Sequence, residues 1–403
     1  MSIAMKHIRH THRHFWQHIK MNDMARIYIA NMIHNLSIAM TGLFGPIYIW
    51  QTTHSFTDVC FMMVWYFVLR LFGLDFLVGK IMARIGPKKT MVIGFLITAI
   101  YQTMFFSADM VAWPLWLLGM VGGMTHSFVA VPLHGEFSKI HNIHSEGKQI
   151  AYLHAVEKIG TVVGPLIGGV VAVIFGSKYI FLIGLILMIM AGLPLLRSRE
   201  LVATRRRLNL RKLDFRKYRR NILAYACSGV EMTMASPLWP IFVAITILTP
   251  TTLYMGVGVL QSLSVVAAII AAILIGHLVD KKFGRVLLRG GAILMSIFYI
   301  IRGFISQYLG ALFLNIAHET ASAANHIPIS KGFYDEADDN DETRLAYVSV
   351  VAYFDSWFKF LAWLTVFIVA LTIGDITAFA VGFGLAAVAG LLTMTEKYRA
   401  LNK

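Results

Sequence analysis

Twelve mostly apolar stretches divide this chain, each close to the 20 or so residues that a helix needs to cross a hydrocarbon core of about 30 Å. They run Arg26–Trp50, Thr57–Val78, Thr90–Ser107, Ala112–Leu133, Ile150–Phe175 and Tyr179–Leu196. The second set runs Ile222–Ile247, Thr252–Ile275, Val286–Phe304, Tyr308–Ile329, Leu345–Ile373 and Ile376–Met394. Barrel strands are about 10 residues long and alternate in polarity, so these stretches predict helices. Charged residues make up 14% of the chain against about 25% in soluble domains, which excludes an ordinary soluble fold. Cys60 and Cys227 fall in or beside apolar stretches and form neither a disulfide framework nor a CxxC metal signature. The first twenty residues are basic and polar, without the unbroken apolar core expected of a cleavable signal.

The basic residues are unevenly placed. With a cytosolic N-terminus, the internal connections hold Lys80, Arg84, Lys88, Lys89, the 197–220 segment, Lys281, Lys282 and Arg285. The opposite connections (51–56, 108–111, 248–251 and 374–375) lack Lys and Arg, and Lys178 is the exception on that side. The positive-inside rule then places both termini in the cytosol, with the chain a multi-pass protein of the cytoplasmic membrane. It also assigns the net charge of +15 to anionic lipid headgroups rather than to nucleic acid.

The halves repeat each other at an offset of about 195 residues. Gly45–Tyr48 (GPIY) matches Trp239–Phe242 (WPIF), Gly79 matches Gly276, Pro132 and Phe137 match Pro328 and Phe333, and Ala151-Tyr152 matches Ala346-Tyr347. Duplicated halves that rock about a central site are a common transporter plan. The expected organisation is a basic, His-rich N-terminus (1–24), a six-helix bundle (25–196), a basic linker (197–220), a second six-helix bundle (221–395) and a short tail (396–403).

The segment from Gly79 to Lys89 (GKIMARIGPKK) resembles the G-x3-D-R-x-G-R-K loop of the major facilitator superfamily, and Gly276–Arg285 (GHLVDKKFGR) is similar with one extra residue. The resemblance covers nearly the whole chain. It implies an all-α membrane protein of twelve transmembrane helices in two pseudo-symmetric bundles, working as a secondary active transporter. The expected gating-loop residues are Gly79, Arg84, Gly86, Lys88, Gly276, Asp280, Lys281, Gly284 and Arg285. The acidic position of the first loop is Ala83, with Asp75 two turns earlier as a substitute. Gly160, Gly164, Pro165, Gly168 and Gly169 resemble the helix-packing motif of the family's proton-driven exporters. Close helix packing alone would also account for these small residues.

A charge at the bilayer centre costs at least about 2.5–3.5 kcal/mol and therefore marks a cavity or a pair. Glu231 lies nine residues into its stretch, about 14 Å deep, and is the first candidate for proton coupling. Asp355 and Lys359 share a helix face. His318, Glu319, Arg70, His34, Glu157 and Lys158 complete the candidate coupling and substrate residues. Arg70 is open to an anionic substrate or to a buried acid. Arg289 and Arg302 lie near the ends of their span, where they can snorkel. Tyr28, Phe44, Met124, Met232, Met234 and Trp239 are expected cavity linings, adaptable toward amphipathic molecules.

His7, His10, His14 and His18 fall on one helical face, and His134, Glu136, His141 and His144 cluster beyond span four. Both sets keep divalent-metal export as an alternative. The acidic run from Asp335 to Glu342 is expected in a solvated loop. No cofactor or catalytic constellation is expected, and a channel or receptor is the alternative of another class. The expected partners are a small molecule or ion, protons and the bilayer, with the protein a monomer.

Overall fold

The computed structural model describes the backbone of residues 21–140, 147–196, 210, 213, 215–278, 283–338 and 344–401. Within these it describes all side chains other than those of 21–25, 27, 28, 136–158, 277, 338 and 400. Twelve helical segments, α1 to α12, follow the twelve apolar stretches. The first six are α1 (Met21–Thr53), α2 in two pieces (Phe56–Leu71 and Leu74–Ile85), α3 (Pro87–Phe106), α4 (Leu115–Ile140), α5 (Gly147–Phe175) and α6 (Lys178–Leu196). The second half has α7 in three pieces (Phe215–Thr233, Met234–Leu238 and Trp239–Thr246), α8 (Leu253–Leu278) and α9 (Gly284–Arg302). It ends with α10 (Tyr308–Asp338), α11 (Arg344–Thr372) and α12 (Asp375–Leu392). Every regular element among the described residues is helical.

Eight of these helices are long and apolar enough to cross a membrane, or nine when the two pieces of α2 count as one span. α5, α7 and α10 fall outside that set; of α5, Ile159–Phe175 counts as a shorter apolar helix, and α7 is broken into three pieces. The packing repeats with the sequence. α1 packs on α5 as α7 does on α11, α2 on α4 as α8 on α10, and α3 on α6 as α9 on α12. The halves meet through α2 with α11 and through α5 with α8, contacts that the same two-fold operation exchanges.

Close backbone approach sets the packing within a half. In α4, a Cβ on Gly119 would strike the carbonyl oxygen of Met62, and one on Gly123 would strike that of Tyr66. The spacing of four stacks both glycines on the face that meets α2. The loop between α2 and α3 turns at Gly86, whose φ of +98° and ψ of 158° only glycine adopts readily. Gly276, the counterpart of Gly79, lies inside α8 with open space around a Cβ.

Several expectations change at the helix ends. α10 continues to Asp338, so Asp335 and Glu336 sit in its last turns rather than in a loop. Glu336 accepts hydrogen bonds from Asn221 at 2.6 Å and Tyr347 at 2.9 Å. Lys88 is buried in the first turn of α3 rather than solvated. Lys178, the exception to the charge asymmetry, donates to Asp109 at 3.0 Å. That bond, with one from Tyr48, holds the Asp109 carboxyl below its ordinary value. Residues 1–20, most of the basic linker, Asp280, Lys281, Asp339, Asp341 and Glu342 lie outside the described residues.

Replacing Gly123 with valine should destabilise the purified protein by about 1–3 kcal/mol, because the side chain must displace the α2 backbone. Gly384→Ala, in open space on α12, should leave the melting temperature within a degree or two or raise it. Melting curves in one detergent check the contrast.

Candidate functional site

Two buried polar centres lie in the bundle, and breaks in helices create both. α2 breaks at Phe72 and Gly73, where Gly73 takes φ +88°, and its two pieces meet at 53°. The break leaves Arg70 in the last turn of the first piece and Asp75 in the first turn of the second. Each charge sits at the helix end whose dipole favours it. Arg70 Nε lies 3.4 Å from both oxygens of Asp75. Asp75 also accepts from Ser127 of α4 at 2.7 Å and from Ser356 of α11 at 2.9 Å. The Ser356 bond joins the two halves.

Across the interface, Asp355 Oδ2 accepts from Lys359 Nζ at 2.6 Å and lies 4.0 Å from Arg70 Nη2. Asp355 Oδ1 sits against Gly229 of α7, closer than any side chain there would allow. Two cations and two carboxylates thus neutralise one another; Arg70 (1% exposed) and Asp75 (0%) are the deepest, and Lys359 is the most exposed. The intrahelical Asp355–Lys359 pair expected from spacing is present, and Arg70 has found its buried acid. Beside this network lies a small cavity between the halves. Arg70, His126, Ala130 and His134 line it from the first half, with Tyr225, Phe333, Val351 and Asp355 from the second.

The second centre surrounds Glu231, which is fully buried in α7. The next residues, Met234–Leu238, form a π-helical turn containing Pro237, and Pro240 follows. Proline removes backbone donors and forces the ladder open, and π turns recur at functional sites. Glu231 Oε1 accepts from the Tyr299 hydroxyl of α9 at 2.6 Å, and Oε2 lies 2.7 Å from His326 Nε2 of α10. His318 Nε2 is 3.2 Å from Oε1. His326 Nδ1 continues to Ser228 Oγ at 2.6 Å, and His318 Nδ1 is 4.0 Å from Glu319. Glu231, isolated in sequence, therefore has partners from two other helices.

Arg302 is the main correction among the charges. It does not snorkel: it is fully buried, with its guanidinium 4.7 Å from the Trp239 ring and 4.6 Å from Tyr299. Its Nη2 donates to Asn315 at 3.2 Å. Two aromatic faces and an amide hold it. Tyr299 and His326, which complete the Glu231 cluster, were not singled out in the sequence. The pairing signal available for His326 was its position eight residues after His318, about two helical turns along one face.

Other candidates lie away from both centres. His34 stacks on Phe95 of α3 at 5.0 Å, inside the first half. Among the expected linings, Phe44, Met234 and Trp239 are buried in packed core, and Met232 is 55% exposed on the bundle surface. The side chains of Tyr28, Glu157 and Lys158 lie outside the described residues. The glycines of α5 serve packing. Cβ atoms on Gly160 and Gly164 would strike the α1 backbone at Met32 and Leu36, one on Gly168 would press into Phe44, and Gly169 meets Tyr254 of α8. Pro165 meets Gly258 there too.

Among the described residues, no group of three or more His, Cys, Asp or Glu could hold a metal ion. His134 lies 2.9 Å from the Tyr334 hydroxyl across the interface, and the N-terminal histidines, His141, His144 and the Glu136 side chain lie outside the described residues. Of the second gating loop, Gly284 is buried and Arg285 donates to Glu396 of the tail at 3.0 Å. In the first, Gly79 is buried and Arg84 is exposed.

A search of curated proteins returns no match to this sequence. Among solved structures, a variant of the nucleoside transporter NupG superposes with a TM-score of 0.66, covering 92% of this chain and 99% of that one at 12% sequence identity. At that identity the likeness is one of fold. A family model described as Major Facilitator Superfamily matches residues 27–336. With duplicated six-helix bundles, broken helices at the centre and a family match over most of its length, the chain belongs to the Major Facilitator Superfamily of membrane transporters.

Proposed function

We propose that this protein is a proton-coupled exporter. It carries a small solute out across the cytoplasmic membrane by alternating access, with its basic loops in the cytosol. The observation that carries the reading is Glu231, a fully buried carboxylate whose partners Tyr299, His318 and His326 are all able to exchange protons. A static ion pair would be served better by Lys or Arg, which do not titrate near neutral pH. Outward transport rests on the resemblance of the Gly160–Gly169 segment to exporters.

Alternating access needs contacts between the halves that break in turn at the two ends. One candidate lies at the end with few basic residues, where Tyr254 of α8 donates to Gln51 of α1 at 2.6 Å. The other lies at the basic end, where His134 of α4 meets Tyr334 of α10. Hydrophobic contacts reinforce both, with Phe56 stacked on Phe379 at 4.2 Å at the first end and Val78, Met82 and Val131 packed with Phe333 and Tyr347 at the second.

Currents on solid-supported proteoliposomes, driven by pulses of nucleosides, sugars, amphipathic cations, carboxylates or zinc, test the coupling. The responsive solute should give currents that vary with pH, and Glu231→Gln should flatten that profile by about tenfold or more. An unchanged profile refutes the proton role. In inverted vesicles the same solute should discharge an acid-inside gradient, and failure to do so there, with discharge in right-side-out vesicles, would make the protein an importer.

Tyr254→Phe and Tyr334→Phe should act in opposite directions. Each removes one hydrogen bond worth about 1 kcal/mol, enough to shift the balance of states about fivefold. Amide exchange should rise at the end carrying the lost contact and fall at the other.

A further inference from the structure

We infer that the cavity beside Arg70 takes a small organic carboxylate with an apolar body, which gives the transport reading above, on which it rests, a substrate class. Arg70 lines the cavity, is almost wholly buried, and has spent only part of its guanidinium. Nε faces Asp75 and Nη2 approaches Asp355, while Nη1 finds no hydrogen-bond acceptor among the described residues. A buried donor left without an acceptor is costly, and a bound oxyanion satisfies it.

The rest of the lining divides by chemistry. On the first half, His126, Ala130 and His134 follow one another along one face of α4, one turn apart. The small Ala130 leaves room between two rings that can donate. On the second half, Tyr225, Phe333, Val348, Val351 and Ala352 present an apolar and aromatic wall. One side therefore suits a carboxylate and the opposite side suits a ring or alkyl group.

The same geometry selects against an ammonium group. Among the described residues, Asp355 is the one carboxylate in the lining. Its Oδ2 is taken by Lys359 at 2.6 Å, and its Oδ1 is pressed against Gly229. Oδ1 has no hydrogen-bond partner but is buried against the α7 backbone, so an ammonium group in the cavity would compete with Lys359 for Oδ2. Because the four fixed charges already balance, a carboxylate brings one uncompensated negative charge into the bundle.

The test uses the full-length protein in detergent, with melting temperature read against concentration of benzoate, of its neutral isostere benzamide, and of phenylalanine. Benzoate should bind saturably, and benzamide and phenylalanine roughly tenfold more weakly or worse. Arg70→Lys keeps the charge beside Asp75 but loses the fork, and should weaken benzoate about tenfold. Ala130→Leu fills the cavity without touching a charge and should abolish binding, which keeps the test decisive if Arg70→Lys does not fold. Equal binding of benzamide, tighter binding of phenylalanine, or benzoate binding that survives Ala130→Leu would overturn the assignment. If no carboxylate binds while Glu231→Gln still flattens the pH profile for another solute, this inference falls and the proton-coupling proposal stands. If carboxylates bind as described and that profile is unchanged, the reverse holds.

Discussion

A guanidinium buried between two helical bundles must be matched by carboxylates, and Arg70 meets them on both sides of the interface, Asp75 in its own helix and Asp355 across it. Removing water from these charges is affordable only while they stay together, since the desolvation penalty of an isolated ion is several kcal/mol. The contact of α2 with α11 therefore depends on their neutrality. Ser127 and Ser356 fill the remaining lone pairs of Asp75, and Gly229 gives the Asp355 carboxylate its place against α7. When the halves separate here, Asp75 loses Ser356 and Arg70 loses Asp355. Any group that replaces those partners lowers the cost of opening.

Gly229 links the two polar centres along α7. Tyr225 lines the central cavity, Gly229 touches Asp355, Ser228 meets His326, and Glu231 sits among the imidazoles, all within two turns of one helix. The π turn and prolines that follow weaken the helix just beyond. α2 breaks in the same way at Gly73, beside Arg70. In a membrane, backbone freed by such breaks is tolerated only inside protein or around a cavity, so the two interrupted helices of the bundle mark where its chemistry sits.

The fold was largely legible. Twelve apolar stretches, the asymmetry of basic loops and the repeat near 195 residues predict the helices to within a few residues at most ends, and the pairing of helices repeats with the same two-fold order. The candidate site was legible as a set of residues and not as an arrangement. Glu231, His318, Arg70, Asp355 and Lys359 stand out as charge or imidazole in an apolar context. Only Asp355–Lys359, four residues apart, announces its partner. Arg70 and Asp75 pair because α2 bends, and an unbroken helix would have put them about 140° apart around the axis. Arg302 misled because a position near a helix end normally reaches water, whereas here Trp239 and Tyr299 cover it.

What the sequence determined by itself is the part governed by solvent: which segments are apolar enough to enter lipid, and which polar residues must be hidden. Hydropathy and charge act segment by segment, so they can be read from the chain in order. Partnership was decided only by the tertiary structure. It brings Tyr299 and His326 to Glu231 from 68 and 95 residues away and Ser356 to Asp75 from 281. Coulomb and hydrogen-bond energies are set by distances of a few ångströms, and those distances follow from how helices cross rather than from their order in the chain.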